Sequence, residues 1–334
     1  MANSINNTGS IVGGNVSVNT GTLVNGADLG GATDNAAYGS ALLGSTGNMS
    51  LIVRDQLLNR DARIFSLGNI AIGGAQDAGG TLVSRTGVVN NLSGSIEADG
   101  NILIAANQIN NRRRVVDART GPLTDAERFA ANAAMPEDEI RRDPSPGATV
   151  MGIRYTGHQP GLYRAYSVRE REQLIAVSAE GRIAAGGSIA LSGYVTNNVS
   201  TIAAGGALLL NQRGVGGLSD AMLSDSDDVL NQSLALRQVV DYTDTEYRAM
   251  PINGDCMHRP GQNLPCYWEE EARVFGSGTL DNSYLALGAS MTGGQGVSIN
   301  GANISNGAVG SDGRNVSGAS LAAGCRLPVK LIHP

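Results

Sequence analysis

The sequence predicts an all-β chain, a right-handed parallel β-helix (β-solenoid) broken by two insertions that do not follow its repeat. The first observation is a recurring motif: an Asn or small residue, a Gly, an alternating strand, a Gly-Asn or Gly-Ser turn, and a second alternating strand. It reads Asn7-Thr-Gly-Ser-Ile-Val-Gly-Gly-Asn-Val-Ser-Val18, returns as Asn91-Leu-Ser-Gly-Ser-Ile-Glu-Ala-Asp-Gly-Asn-Ile-Leu-Ile104, and recurs as Glu180-Gly-Arg-Ile-Ala-Ala-Gly-Gly-Ser-Ile-Ala-Leu191. The second is spacing. Gly47 and Gly68 lie 21 residues apart and Gly187 and Gly206 lie 19 apart, and a period of about 20 residues marks a solenoid. The third is composition: with 46 Gly and 4% aromatic residues, the core must be built from short aliphatics.

Residues 1–111 are read as the first block of repeats. A unit this short cannot bury its own apolar face, so it must stack on its neighbours. Period two places Ile96, Ile102, Ile104, Ile183, Ile189, Leu191, Ile202, Leu208 and Leu210 on the inward face of their strands. Gly at the corners provides either positive φ or close backbone approach. Asn59, Asn91, Asn111, Asn198 and Asn211 stand near strand ends, where stacked amides form ladders.

Residues 112–178 are a charged, Tyr-containing insertion that opens with Arg112-Arg-Arg114. Thr124 and Glu127 have capping-box spacing for a short helix, and Pro136 ends it. Residues 151–168 read as a strand pair or extended arm. Repeats resume over 179–233. A second insertion, 234–275, carries a ribbon around Tyr242, Asp244, Glu246 and Arg248 and then a cysteine loop. Residues 276–334 hold irregular repeats and a C-terminal tail.

Cys256 and Cys266 flank a Pro-containing loop and are read as a disulfide. Two free thiols, or a three-ligand zinc site with His258, are the alternatives. Cys325 is left over. No catalytic constellation emerges: Asp225-Ser-Asp227-Asp228 and Glu269-Glu-Glu271 read as solvated loop faces, and His158, His258 and His333 fall in loops or at the terminus. The chain is therefore expected to be no enzyme and to need no cofactor or metal.

The net charge of -6 argues against a nucleic-acid partner, and no apolar run is long enough to insert in a membrane. The N-terminal Met-Ala-Asn-Ser-Ile lacks the features of a secretion signal, as expected of a piece of something longer.

Most aromatic residues, with many of the Arg residues, lie in the two insertions, and such side chains dominate recognition surfaces. The candidate contact residues are Tyr155, Tyr163, Arg164, Tyr166, Tyr242, Tyr247, Arg248, Tyr267 and Trp268.

The stretch Val88-Val-Asn-Asn-Leu-Ser-Gly-Ser-Ile-Glu-Ala-Asp-Gly-Asn-Ile-Leu-Ile-Ala-Ala-Asn-Gln-Ile-Asn-Asn-Arg112 resembles the filamentous haemagglutinin repeat. That repeat builds the shafts of exoproteins exported by two-partner secretion. The resemblance covers most of residues 1–111 and 179–232 and fades from Gly276 onward. The exit through Asn-Asn-Arg-Arg into a charged arm is similar to the central region of CdiA-like contact-dependent growth inhibition effectors. The resemblance implies a secreted protein displayed on the bacterial surface and exported by an outer-membrane transporter. It further implies that this segment recognises an outer-membrane protein or surface glycan of a neighbouring cell. A host-cell adhesin is the alternative within the class, and a β-helical polysaccharide lyase or hydrolase is the alternative outside it.

Overall fold

Strands dominate the structure, a computed structural model that describes residues 2–29, 41–119, 121, 123–135, 137–142, 161–224, 226–251 and 268–316. The chain divides into two units. The first comprises Met1–Arg119, Gln173–Ala235 and Leu285–Ser317; the second draws on Thr120–Glu172 and Leu236–Tyr284.

The first unit is all-β and β-helix-like. Its main strands run parallel and fall into three strips that the chain visits in turn, while Ala75–Gln76 with Leu82–Ser84, Val116–Arg119 with Gln173–Val177, and Ile304–Val309 with Asn315–Val316 pair antiparallel. The first strip holds the leading halves of Val16–Asn25, Met49–Arg60, Ile102–Arg112 and Ile189–Asn198, with Ile70–Gly73, Ala207–Leu210 and Gly296–Ile299 between and beside them. The second strip holds the trailing halves of the same long strands, joined by Ala2–Asn7, Thr86–Leu92, Val229–Pro251 and Ile304–Val309. The third is a separate seven-stranded parallel sheet from Ser10–Gly13 to Ser290–Gly293.

This arrangement explains the sequence period. The strands of one pass fit into about 20 residues, and longer gaps are places where extra chain leaves between strips. Residues 113–181 leave between the second and third strips. So does the segment after Ala235, which returns at Ser290.

Each strip stacks like on like. Leu43, Ile64, Ile96, Ile183, Ile202 and Met291 occupy one register column, and Leu51, Ile72, Ile104, Leu191, Leu210 and Ile299 another. All nine inward aliphatics expected from the period-two pattern are buried in one continuous core. Each such side chain contributes about 1.5–3 kcal/mol by leaving water.

Along that core runs a polar column, buried from Asn7 to Asn231 and exposed at its last member, Asn306. Asn7, Asn25, Asn59, Asn91, Asn111, Asn197, Asn231 and Asn306 are register partners, and each Nδ2 donates to the next Oδ1 at 2.7–2.9 Å. A second bond ties each amide to a third-strip carbonyl: Asn59 donates to Ser95 O, Asn91 to Arg182 O and Asn111 to Thr201 O. The ladder thus joins two strips within a pass as well as one pass to the next.

Two expected members lie off the ladder. Asn198 faces outward toward Gln232, its neighbour Asn197 taking the inward place. Asn211 sits at φ 55 and bonds the backbone of Gly193.

A second row of amides lines the outside corner. Asn15 Oδ1 accepts from Asn48 N, Asn48 from Asn69 N, Asn69 from Asn101 N, and Asn101 from Ser188 N. The glycines before Asn48, Asn69, Asn101 and Ser188 are required for proximity, not for positive φ, whereas Gly14 before Asn15 at the end of the row has open space. A Cβ on Gly68 would lie 2.6 Å from both Asn48 Oδ1 and Gly47 O, and one on Gly187 would lie 2.3 Å from Asn101 Oδ1. Positive φ falls instead on Asp61, Ser93 and Val199, two residues after ladder asparagines.

The acidic run after Ser224 also differs from a solvated loop. Asp227 is largely buried, its carboxylate forked by Arg85 at 2.6 and 3.3 Å. Asp228 accepts from the backbone and side chain of Asn303.

Three substitutions test the packing. Ile189→Asp buries an unpaired charge in the aliphatic column and is expected to lower stability by about 4 kcal/mol or more in a denaturant titration. Asn91→Ala leaves Asn59 Nδ2 and Asn111 Oδ1 without a ladder partner and is expected to cost about 3 kcal/mol. The same change at outward Asn198 is expected to cost under about 1 kcal/mol.

Candidate binding surface

The second unit is built from segments far apart in sequence. Gly161–Arg171 pairs antiparallel with the part of Val229–Pro251 that lies beyond Ala235, through ten register positions from Gly161↔Tyr247 to Arg171↔Gln238. Asp138–Arg142 flanks it on one side. Trp268–Leu287 pairs with Val229–Pro251 on the other. The two insertions therefore share one antiparallel sheet.

A helix, Asp125–Ala133, packs on it. Thr124 caps this helix in a full capping box with Glu127. Leu123, Ala131 and Met135 bury against Val168 and Val240, with Tyr166 packed beside them.

Direct cross-strand partners share a face of a sheet, so register decides which candidates meet. Arg164 stands opposite Asp244 and Tyr166 opposite Tyr242. The Arg164 guanidinium forks the Asp244 carboxylate at 2.7 and 2.8 Å while lying 3.9 Å above the Tyr242 ring. That fork depresses the Asp244 carboxyl below its ordinary value and raises the Arg164 guanidinium above its own, while burial works against both shifts. Tyr166 donates its hydroxyl to Asp138 at 2.8 Å; burial, followed by that bond, raises the phenol's pKa.

Tyr242 lies over Gly278 of the neighbouring strand, where a Cβ would come within 2.6 Å of the hydroxyl. On the opposite face, Tyr163 is buried and meets Tyr247 edge-on at 5.4 Å. Farther along, Arg171 binds Gln238 and lies 5.1 Å from the Tyr284 ring.

The structure thus gathers Tyr163, Arg164, Tyr166, Tyr242 and Tyr247 onto two adjacent strands. Arg248 and Trp268 lie on the same sheet, their side chains outside the described residues. Tyr155, Tyr267, Cys256, Cys266 and Cys325 fall outside the described residues altogether.

Other residues of this unit, absent from the candidates above, are the most exposed large apolar side chains among its described residues. Phe129 on the helix is 78% exposed, and Val274 and Phe275 are 66% and 71% exposed. The last two carried a readable signal. Consecutive strand residues point to opposite faces, so an apolar pair interrupting the alternation leaves one member outside any one-sided core. Among the described residues no three His, Cys, Asp or Glu side chains group as a metal site, and no helix is long and apolar enough to cross a membrane.

No protein-family model and no solved structure matches the chain. Over 253 residues it is 26% identical to Toxin CdiA of Yersinia pestis, a match covering 73% of this chain and 7% of that protein. The chain therefore spans a small part of that relative's length. The similarity is distant, and it supports a CdiA-like relation.

The Arg164–Asp244 fork sets a pH expectation. A carboxyl whose folded pKa is depressed stabilises above its unfolded value, near 3.8, and loses that contribution as pH falls through the folded value. Hydrogen exchange in Gly161–Arg171 is expected to rise below about pH 4 in the native chain. Asp244→Asn is expected to raise exchange already at neutral pH, by about 1–2 kcal/mol of lost protection, and to flatten the acid response.

Proposed function

We propose that this chain is a right-handed parallel β-helical segment of a bacterial cell-surface exoprotein of the contact-dependent growth inhibition class, and that its second unit binds a receptor on a neighbouring cell. The receptor is an outer-membrane protein or surface glycan. In the full-length protein, an outer-membrane transporter of the two-partner type delivers the segment to the surface. The distant similarity to Toxin CdiA supports the class.

The observation that carries the binding role is the joining of both non-repeat insertions into one sheet. Stacked passes of Gly and short aliphatics offer a partner little area, whereas this sheet concentrates aromatic and Arg side chains of the kind that anchor interfaces.

Within the unit the roles divide by exposure. Tyr163, Tyr166 and the Arg164–Asp244–Tyr242 stack hold the sheet in shape. Phe129, Val274, Phe275 and the half-exposed edge of Tyr247 supply contact area, because anchors must be accessible before binding and desolvated after it.

The test is attachment of the purified chain to target cells, or capture of an outer-membrane component from their extracts. Replacing Val274 and Phe275 together by Asp is expected to weaken attachment about tenfold or more while leaving the melting temperature unchanged. Normal attachment by that variant, with loss on substitution of outward first-unit residues such as Thr196, would overturn the assignment.

A further inference from the structure

The first unit carries a groove of ≈ 550 Å³ that the receptor reading above does not use. Its floor is the outward face of the first strip, a register column of Ser17, Ser50, Ala71, Leu103, Ala190 and Leu209 that is polar at its first two positions and apolar over the other four. One wall is the outside row of Asn15, Asn48, Asn69, Asn101 and Ser188. The facing wall is formed by Gln76, Gly80, Val215 and Gly216. Those last residues belong to two loops meeting at Leu82 and Leu218, which cover the adjoining part of the same apolar face.

Three properties define what fits. The groove is long and straight: its Asn–Ser wall advances one strand spacing per residue, about 19 Å from Asn15 to Ser188. Among the described residues it carries no charge, since no Asp, Glu, Lys or Arg lines it.

Its wall is also one-sided in hydrogen bonding. Each Asn Oδ1 is already occupied by the next backbone N–H, while among the described residues the Nδ2 groups of Asn15, Asn48 and Asn101 have no acceptor. The result is a row of amide donors beside a floor that is apolar from Ala71 to Leu209 and hydroxyl-bearing at Ser17 and Ser50. An extended polypeptide matches this poorly, because the floor is a sheet face with no free backbone edge to pair with, and the unoccupied groups of the Asn wall are donors, which do not match peptide N–H groups. A chain with apolar faces and oxygen-rich edges matches it well.

We propose that this groove binds a linear, uncharged polysaccharide, its sugar rings lying on Leu103 and Leu209 and its hydroxyl and ring oxygens accepting from the Asn amides. The site is independent of the second unit, so either assignment can fail alone.

The test is titration of the whole chain with cellulose-, mannan- and chitin-derived oligosaccharides at low and high salt. Pectin-derived oligogalacturonate and an extended Gly-Ser peptide run in parallel, with binding read by calorimetry. At least one neutral series is expected to bind with an affinity unchanged by salt. Asn48→Asp and Asn101→Asp keep the Oδ1 acceptors but remove the donors, and each is expected to weaken binding about tenfold with folding intact. Ala71→Trp fills the floor and is expected to abolish binding, whereas Phe275→Asp is expected to leave it unchanged. Absence of binding by every neutral series would overturn the proposal. So would affinity that survives the groove substitutions, or preference for the anionic oligomer or the peptide.

Discussion

The first unit depends on one constraint: every pass of the chain must present an asparagine amide at the same height and the same corner. A primary amide has two donors and two acceptor lone pairs, and a column of them at strand spacing satisfies both ends of each group. That is why a polar residue persists in a core of Leu, Ile and Val, where an unpaired amide would be costly. The column also sets register, because a slip by one residue exchanges the buried amide for an outward side chain all along the strand. With one donor bonding along the stack and the other reaching across to the third strip, the ladder holds the corner at which the chain leaves for both large insertions.

Those departures share a logic. The first insertion leaves after Arg112 and the second follows the strand that begins at Val229, both at the same turn of the pass. The intervening strand Ile189–Asn198 pairs with both, so the exits stand two strand spacings apart, about 10 Å. Segments separated by more than 60 residues of sequence thus start close together, which lowers the loop-closure entropy opposing their pairing. Direct opposition of Arg164 and Asp244 then favours one antiparallel register over its neighbours.

Much of this was legible in the residues. Period-two aliphatics marked the inward columns, and the Gly-Asn corners marked the turns between strips. The ladder was legible in part, and Asn197 shows why. In the doublet Asn197-Asn198 composition does not distinguish the two residues; parity does, since each ladder amide from Asn7 to Asn231 follows an inward aliphatic by two positions, as Ile109 precedes Asn111 and Val195 precedes Asn197. Asp227 was misread because its partner Arg85 is distant in sequence and nothing local announces the pair. The sheet of the second unit was hidden for the same reason. Its strands alternate polar and aromatic residues without the repeat that made the first unit readable, and Tyr163 became buried through neighbours that sequence spacing does not reveal.

Binding by the second unit is the central claim, and hydrogen exchange of the intact chain with and without outer-membrane vesicles from target cells tests it most directly. The account predicts slowed exchange in Gly161–Arg171, in 236–251 and in 268–284 when vesicles are present. Unchanged exchange across those strands, under conditions where the chain demonstrably attaches to the vesicles, would contradict it.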